Sequence, residues 1–265
     1  MKFLILMLYT YILKIIIYQK KMTYILIIPI FNEEQNIVNL VNVLNNSFLI
    51  KDNNCVNILL INDGSKDNTE RLINSEIRHK KKFILLNHRK NMGYGAATKT
   101  GIKYAKNLVK YVIFADSDLT NPIDDIKKTF IFMSRDIDFI QANRYKKNSD
   151  NIQAHRKLIG KLGNFLCRFF MNMKINDYTN GFRAVKTSLY NNIELTENDF
   201  SIIMEEKYKL KKNLGTIAEF GTILGKRSDH LNKSSFEYSF KLINKYLFYC
   251  VKTGFITNKD LKKID

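Results

Sequence analysis

The chain has 265 residues, 45% of them hydrophobic, with two prolines and no Pro-rich or Gly/Ser-rich linker. That excludes a disordered chain and suits one large α/β domain, alone or with a small appendage. Forty-three Lys and Arg against 25 Asp and Glu leave a formal charge of +18, which favours an anionic partner such as a membrane surface or a phosphate-bearing molecule. Spread as they are, the lysines fit a basic solvated surface equally well. There is no aromatic-and-basic repeat of the single-strand-binding kind, so nucleic acid is not an expected partner.

In chain order, Phe3 to Tyr18 is apolar apart from Thr10 and Lys14. A bilayer span needs roughly 20 apolar residues, and no small-residue cleavage site follows. Residues 1–21 are either a membrane anchor or interfacial helix, with Lys20 and Lys21 keeping the catalytic part on the cytoplasmic side, or a stretch preceding a true start at Met22. Tyr24 to Ile28 reads as a strand buried on both faces. Asn32-Glu33-Glu34 opens an amphipathic helix carrying Ile37, Leu40, Val41 and Leu44. Val56–Ile61 is a second strand, and Asp67 caps a helix bearing Leu72 and Ile73. A strand at Phe83–Leu86, a helix at Gly93–Leu108, a strand at Tyr111–Ala115, a helix at Ile123–Met133 and a strand at Ile137–Ala142 follow.

This alternation predicts an α/β fold with a mostly parallel central sheet flanked by helices. Ligands then bind at the carboxyl ends of the strands. The polar clusters fall there: Asn32-Glu33, Asp63-Gly64-Ser65, Asn91-Met92-Gly93, Asp116-Ser117-Asp118 and Asn143-Arg144. Beyond Tyr145 the spacing predicts a long helix over Arg156–Met173, a short strand or turn at Gly181–Val185, a helix at Phe200–Lys212 and an extended segment at Gly215–Leu224. A final amphipathic helix runs over Ser235–Val251. It aligns Phe236, Phe240, Ile243, Leu247 and Val251, and either packs on the core or lies in a membrane interface.

Asp116 and Asp118 close an apolar strand, and two acids there are costly unless a cation sits on them; Mg²⁺ or Mn²⁺ carrying a nucleotide diphosphate would do so. Asp63-Gly64-Ser65-x-Asp67 either accepts hydrogen bonds from a base or ribose, or is a plain capped turn. Asn91 to Ala97 resembles a phosphate-cradling loop at a helix N-terminus. Thr98 occupies the third glycine position and the loop follows the third strand, so a dinucleotide fingerprint fails; no P-loop sequence occurs either. Arg144, Arg156, Arg183 and Arg227 suit bidentate phosphate contacts. His79, His88, His155 and His230 have no ligand spacing and read as surface or loop residues. No nucleophile motif is present. Cys55, Cys167 and Cys250 lie far apart, which excludes a Cys-pair zinc site and argues against a disulfide framework.

Ile28-Pro29-Ile30-Phe31-Asn32-Glu33, Asn62-Asp63-Gly64-Ser65-Lys66-Asp67, Asn91-x-Gly93-x-Gly95-Ala96 and Asp116-Ser117-Asp118-Leu119-x-x-Pro122 resemble family 2 glycosyltransferases of the GT-A (nucleotide-diphospho-sugar transferase) fold. Arg144-Tyr145, Arg156 with Gly163-Asn164-Phe165-Leu166, Asp177-x-Thr179-Asn180-Gly181-Phe182-Arg183-Ala184, Met204-Glu205, Glu219, Arg227 and Lys233 are similar to the dolichol-phosphate mannosyltransferase and polyprenyl-phosphate glycosyltransferase branch. The resemblance implies a catalytic domain over 22–234, followed by a C-terminal helix and tail over 235–265. It places the donor over Pro29, Asn32, Glu33, Asp63, Asp67, Gly93 and Asp116. It puts Mg²⁺ or Mn²⁺ on Asp116, Asp118 and Thr120. It makes Asp118, Arg144, Arg156 and Arg227 the catalytic set, the arginines meeting the acceptor phosphate or the diphosphate.

The implied activity is an inverting, metal-dependent transfer of a hexose, foremost mannose from GDP-mannose, to a polyprenyl or dolichyl phosphate. UDP-glucose as donor is an alternative. So is transfer to a saccharide hydroxyl, with Glu205 as base. A basic membrane scaffold without catalysis is the reading from another class. The implied partners are the nucleotide sugar, the lipid phosphate, a membrane surface and small membrane subunits. The implied location is membrane-associated with the catalytic domain towards the cytoplasm, at the endoplasmic reticulum or at a bacterial inner membrane. The chain departs from the pattern at Thr120 (often Gln), Asn62 (an acid), Phe220-Gly221 (Val-Pro), and His230 and Asn232 (Gly and Ser).

Overall fold

The computed structural model describes residues 22–146, 154–225 and 239–265, without the side chains of 154–157. The expected anchor over 1–21, together with Arg227, His230, Asn232 and Lys233, lies outside the described residues, as do the side chains of His155 and Arg156. The described strands are β1 (Tyr24–Ile30), β2 (Cys55–Asn62), β3 (Phe83–Asn87), β4 (Tyr111–Phe114), β5 (Phe139–Asn143), β6 (Arg183–Lys186), β7 (Thr216–Gly221) and β8 (Lys262–Ile264). The helices are α1 (Ile37–Asn45), α2 (Thr69–Ile77), α3 (Tyr94–Ala105), α4 (Ile126–Ser134), α5 (Ala154–Met171), α6 (Ile202–Leu210) and α7 (Phe240–Gly254).

The strands form one sheet in the order β3-β2-β1-β4-β6-β5-β7-β8. Every pairing is parallel except those of β6, which runs antiparallel to β4 and β5. The reversal has a consequence for the site. The amino end of β6 lies at the same sheet edge as the carboxyl ends of β4 and β5, which brings Asn180-Gly181-Phe182 between their loops. β1 is apolar throughout because both its faces are covered. Leu26 and Ile28 join Ile37, Leu40, Val41 and Leu44 of α1 in one core layer. Ile25 and Ile27 join Ala97, Ile102 and Ala105 of α3 in the other. That second layer also takes in Cys167 and Met171 of α5 and Tyr249 and Cys250 of α7.

The C-terminal segment is thus built into the fold. Cys167 and Cys250 lie Sγ to Sγ 3.0 Å apart as free thiols between α5 and α7. β8 pairs in parallel with β7, a strand the sequence spacing does not announce. Among the described residues no helix is long and apolar enough to cross a membrane.

Candidate active site

The loops after β1, β2 and β4 are laced together by their own side chains. Asn32 adopts a positive φ of 52°, its N–H donates to Ser65 Oγ at 2.9 Å, and its Oδ1 accepts from Lys66 N at 2.9 Å. The Glu33 N–H donates to Thr69 Oγ1, whose hydroxyl donates to Asp67 Oδ1. Asp67 Oδ2 accepts from Glu34 N at 3.2 Å. Asp67 therefore joins the two loops and also accepts from Thr69 N at the start of α2, where Asn68 holds the N-cap position. On the other side, Ser117 Oγ donates to Glu33 Oε1 at 2.9 Å and Asn36 Nδ2 donates to the Ser117 carbonyl at 2.7 Å. Pro29, buried in β1, carries no ladder donor of its own.

Asn62 explains its own departure from an acid. Its Oδ1 accepts from Ser65 N and Oγ, while its Nδ2 donates to Asn87 Oδ1 at 2.9 Å. An ionised carboxylate has no donor for the second task. Asp63 is 3% exposed. Its Oδ1 meets His88 Nδ1 at 2.6 Å and accepts from Met92 N, and its Oδ2 accepts from Gly93 N at 2.7 Å. His88, in the loop directly after β3 and half-buried, is accordingly a partner of Asp63 and of Thr100 Oγ1.

The loop from Asn91 to Ala97 differs from a phosphate cradle. Gly93 N is bound by Asp63 and Asn91, Ala97 N by the Gly93 carbonyl, and Gly95 N and Ala96 N both donate to the Asn198 carbonyl. The positive end of α3 is thus met by the 194–201 segment of the same chain. Gly93 itself is dictated by geometry: φ is +99° and a Cβ would sit 2.3 Å from the Asn198 oxygen.

Asp116 and Asp118 stand at the end of β4, both partly exposed. Asp118 Oδ1 accepts from Thr120 N at 3.0 Å and from Thr120 Oγ1 at 2.8 Å, so the Thr120 hydroxyl proton is directed at the carboxylate. Asn121 Nδ2 lies 3.4 Å from Asp116 Oδ2, while its buried Oδ1 has no hydrogen-bond partner. A Cβ on Gly181 would lie 3.1 Å from both Asp116 Oδ1 and the Tyr94 hydroxyl, which puts Tyr94 across a glycine from the acid loop. Burial first, then Asp116, pushes the Tyr94 hydroxyl pKa up to about 12, and its ring stacks on Phe200 at 4.5 Å. Among the described residues no three His, Cys, Asp or Glu side chains form a metal cage. Mg²⁺ and Mn²⁺ bound with nucleotide phosphates need only one or two carboxylates, so this oxygen-only donor set, with an unsatisfied amide oxygen beside it, fits such an ion.

Arg144 follows β5 on the other side of β6. Its Nε and Nη2 donate to Asp177 Oδ2 and Oδ1, each at 2.9 Å, and Nη2 also donates to Thr179 Oγ1 at 2.7 Å. Burial alone would raise the Asp177 carboxyl pKa; the guanidinium and the surrounding amides outweigh it and hold the group below the usual carboxylate range. Glu219 fixes that segment in turn, accepting from Asn176 N, Asn176 Nδ2 and Asp177 N.

Two sequence expectations are corrected here. Arg183 is fully buried; it pairs with Glu206, donates to the Gly181 carbonyl and lies 4.0 Å from the Phe114 ring centroid, so it braces the sheet and reaches no ligand. Glu205, the expected base for a saccharide hydroxyl, is also fully buried. Burial opposes its charge, but Lys209, Thr196 and Glu197 donate to it and hold it ionised below the ordinary range. It anchors the 194–201 segment. Sequence reasoning missed Tyr94, Asn121 and Gly181 as residues of the acid loop's surroundings; each stands inside or next to a quoted motif, but only the antiparallel β6 brings Gly181 against Asp116.

A family model described as glycosyl transferase family 2 matches residues 25–194, well over half of the chain. A Methanococcus voltae protein, UDP-N-acetylglucosamine–dolichyl-phosphate N-acetylglucosaminyltransferase, is 32% identical over 62% of this chain and 69% of its own length. The Pyrococcus furiosus dolichol-phosphate mannosyltransferase is 28% identical over 80% of this chain, which spans 60% of that relative. A Trichomonas vaginalis dolichyl-phosphate beta-glucosyltransferase is 30% identical over 55% of this chain, and less than half of that relative, 47%, is covered. Among solved structures, glucosyl-3-phosphoglycerate synthase of Mycobacterium tuberculosis, in complex with Mn²⁺, UDP-glucose and phosphoglyceric acid, aligns over 88% of this chain and 81% of its own. The TM-score is 0.64 at 15% identity, a likeness of fold. Sheet order, acid loop and family match agree, and the chain belongs to glycosyl transferase family 2 and has the GT-A fold.

Proposed function

We propose that the chain transfers one hexose from a nucleoside diphosphate sugar to a polyprenyl phosphate, with inversion at the anomeric carbon. One observation carries the reading. The sheet edge that presents Asp116 and Asp118 after β4 also presents, after β5, an Arg144 locked in place by Asp177. The first pair suits a cation-bound diphosphate leaving group, and the second a phosphate nucleophile. A phosphomonoester has its second pKa near ~6, so the acceptor is dianionic at neutral pH and needs no strong base. The demand on the protein is then positioning and charge stabilisation. This agrees with a Glu205 consumed by structure.

Asp116 and Asp118 would hold the divalent ion, with Asn121 beside them; when bound, such an ion neutralises charge growing on the departing diphosphate. Glu33, Asp67 and Asn32 shape the floor under the nucleotide, with Asp63 supporting from beneath through Gly93. Arg144, with Arg156 from α5 and Arg227, would grip the phosphates. Mannose from GDP-mannose is the first reading of the donor, supported by the Pyrococcus relative. The 32% identity to the Methanococcus relative favours a second, a UDP-linked N-acetylhexosamine. Radiolabelled GDP-mannose, UDP-glucose and UDP-N-acetylglucosamine, each with dolichyl and undecaprenyl phosphate and with and without Mn²⁺, separate the two. Failure with every lipid phosphate refutes the acceptor class. Full turnover by Asp118→Asn refutes catalysis by this site.

A further inference from the structure

The largest unexplained feature lies outside the site. Along α5, Leu158, Leu162, Phe165 and Phe169 are exposed, Leu158 at 70% and Phe169 at 73%. Along α7, Phe240, Ile243, Leu247, Phe248 and Val251 are exposed, and Phe255 just beyond the helix reaches 84%. Large apolar side chains this open are unusual in such number on a water-facing surface.

The two stripes are level with each other. Cys167 touches Cys250, and Gly254 packs against the Phe170 carbonyl, so α5 and α7 run side by side in the same direction. Their inward residues, Cys167, Met171, Tyr249 and Cys250, belong to the same core layer. Their exposed residues therefore share the outer side of that layer. Both helices start near the site: Tyr145, which follows Arg144, packs its hydroxyl against Gly160 of α5, and Tyr246 of α7 donates to the Phe200 carbonyl. Charge identifies the occupant. Neither the 18 residues of α5 nor the 15 of α7 include an Asp or Glu. Lys161, Arg168, Lys241 and Lys252 are exposed among the apolar residues, and Lys252 Nζ lies 4.4 Å from the Phe248 ring centroid. An apolar strip with lysines and arginines and no acids is complementary to acyl chains beneath anionic headgroups.

We infer that the α5–α7 face docks on an anionic phospholipid bilayer, with the aromatic stripe at the headgroup–acyl boundary. This deepens the lipid-phosphate reading and rests on it for its purpose: docked this way, a membrane-borne phosphate meets the protein where the two helices begin, beside Arg144.

The test uses the full chain and vesicles containing no polyprenyl phosphate, so it is independent of turnover. Variants with one added cysteine, Phe169→Cys, Phe255→Cys and, as the control on α4, Ile131→Cys, are labelled with an environment-sensitive nitrobenzoxadiazole; the three native cysteines are buried. With phosphatidylcholine–phosphatidylglycerol vesicles, labels at 169 and 255 shift to the blue and are quenched by nitroxide lipids, while the label at 131 stays in water. Phe169→Ser and Phe255→Ser each weaken vesicle partitioning by roughly tenfold, the loss expected on leaving one phenyl ring unburied, and added salt weakens it further. Labels at 169 and 255 that remain in water while residues 1–21 still hold the chain on vesicles would overturn the inference. A blue shift without vesicles that disappears on dilution would also overturn it, because the face would then be covered by a second copy. Docking without turnover on any lipid phosphate would refute the acceptor class and leave the docking face standing.

Discussion

Replacing Asp177 by Asn tests the link between buried electrostatics and the acceptor side. The carboxylate has no solvent exposure and accepts from Arg144 N, Nε and Nη2, Thr179 N and Asn180 N. An amide keeps one acceptor and, in either orientation, turns an N–H₂ towards one guanidinium donor and at least one backbone N–H. Breaking a buried pair costs about 3–5 kcal/mol. The Arg144 side chain is 23% exposed, so water recovers part of this and about 2–3 kcal/mol remains. For a chain of this size that is a fall of roughly 4–12 °C in melting temperature. The pH dependence has a definite sign. The folded pKa of Asp177 lies below its ordinary value, so its contribution is complete above the unfolded value near ~3.9 and is lost as the pH falls through the folded one. The gap between wild type and variant therefore closes in acid. With the guanidinium no longer aimed, the KM for the lipid phosphate rises about tenfold, the equivalent of one charged hydrogen bond, while the KM for the nucleotide sugar stays put. An unchanged melting temperature, or equal shifts in both KM values, would refute the reasoning.

Gly93→Ala forces a side chain into φ +99° and into the Asn198 carbonyl, so urea titration should show a loss of about 1–3 kcal/mol. Lys207 is fully buried; burial first, then Arg183, pushes its ammonium down to about 7. Because the unfolded chain binds that proton up to about pH 10, wild-type stability rises with pH between these values. Lys207→Met should flatten that rise and be the more stable protein at pH 6 to 7, as scanning calorimetry would show; a less stable variant there would contradict it. Glu205→Gln should lower the melting temperature without moving either limb of the pH–rate profile, and a displaced limb would restore Glu205 as a base.

The repeating strand-and-helix order was legible because β1, β4 and the Ile58–Ile61 part of β2 are covered on both faces, and such stretches leave unbroken apolar runs in the sequence. The acid loop was legible for a related reason: two aspartates directly after Tyr111–Ala115 interrupt the run at one point. β8 was not, since three residues at a sheet edge with two lysines carry no period. Arg183 misled because an arginine in a polar motif reads as a ligand contact. Only the fold reveals that Glu206, sixteen residues after Tyr190 and close to it in space, neutralises it inside the sheet. The expected phosphate cradle failed for a similar reason, because its competing acceptor, the Asn198 carbonyl, lies about a hundred residues away in sequence.

That competing acceptor shapes the electrostatics of the whole pocket. Gly95 N and Ala96 N are spent on the Asn198 carbonyl, so the α3 dipole does not meet an incoming diphosphate with free amides. The Asn198 segment is in turn held by α7: Lys245 binds Glu197 and Asp199, the Tyr249 hydroxyl donates to Glu197 at 2.9 Å, and the Tyr246 hydroxyl donates to the Phe200 carbonyl at 3.1 Å. Phe200 then stacks on Tyr94, which faces Asp116 across Gly181. The helix with the exposed aromatic stripe thus supports, through one short segment, the wall opposite the acid loop. On the proposed function, negative charge arriving with donor and acceptor would fall to a cation held by Asp116 and Asp118 and to the arginines led by Arg144, and those are the groups whose removal should slow transfer most.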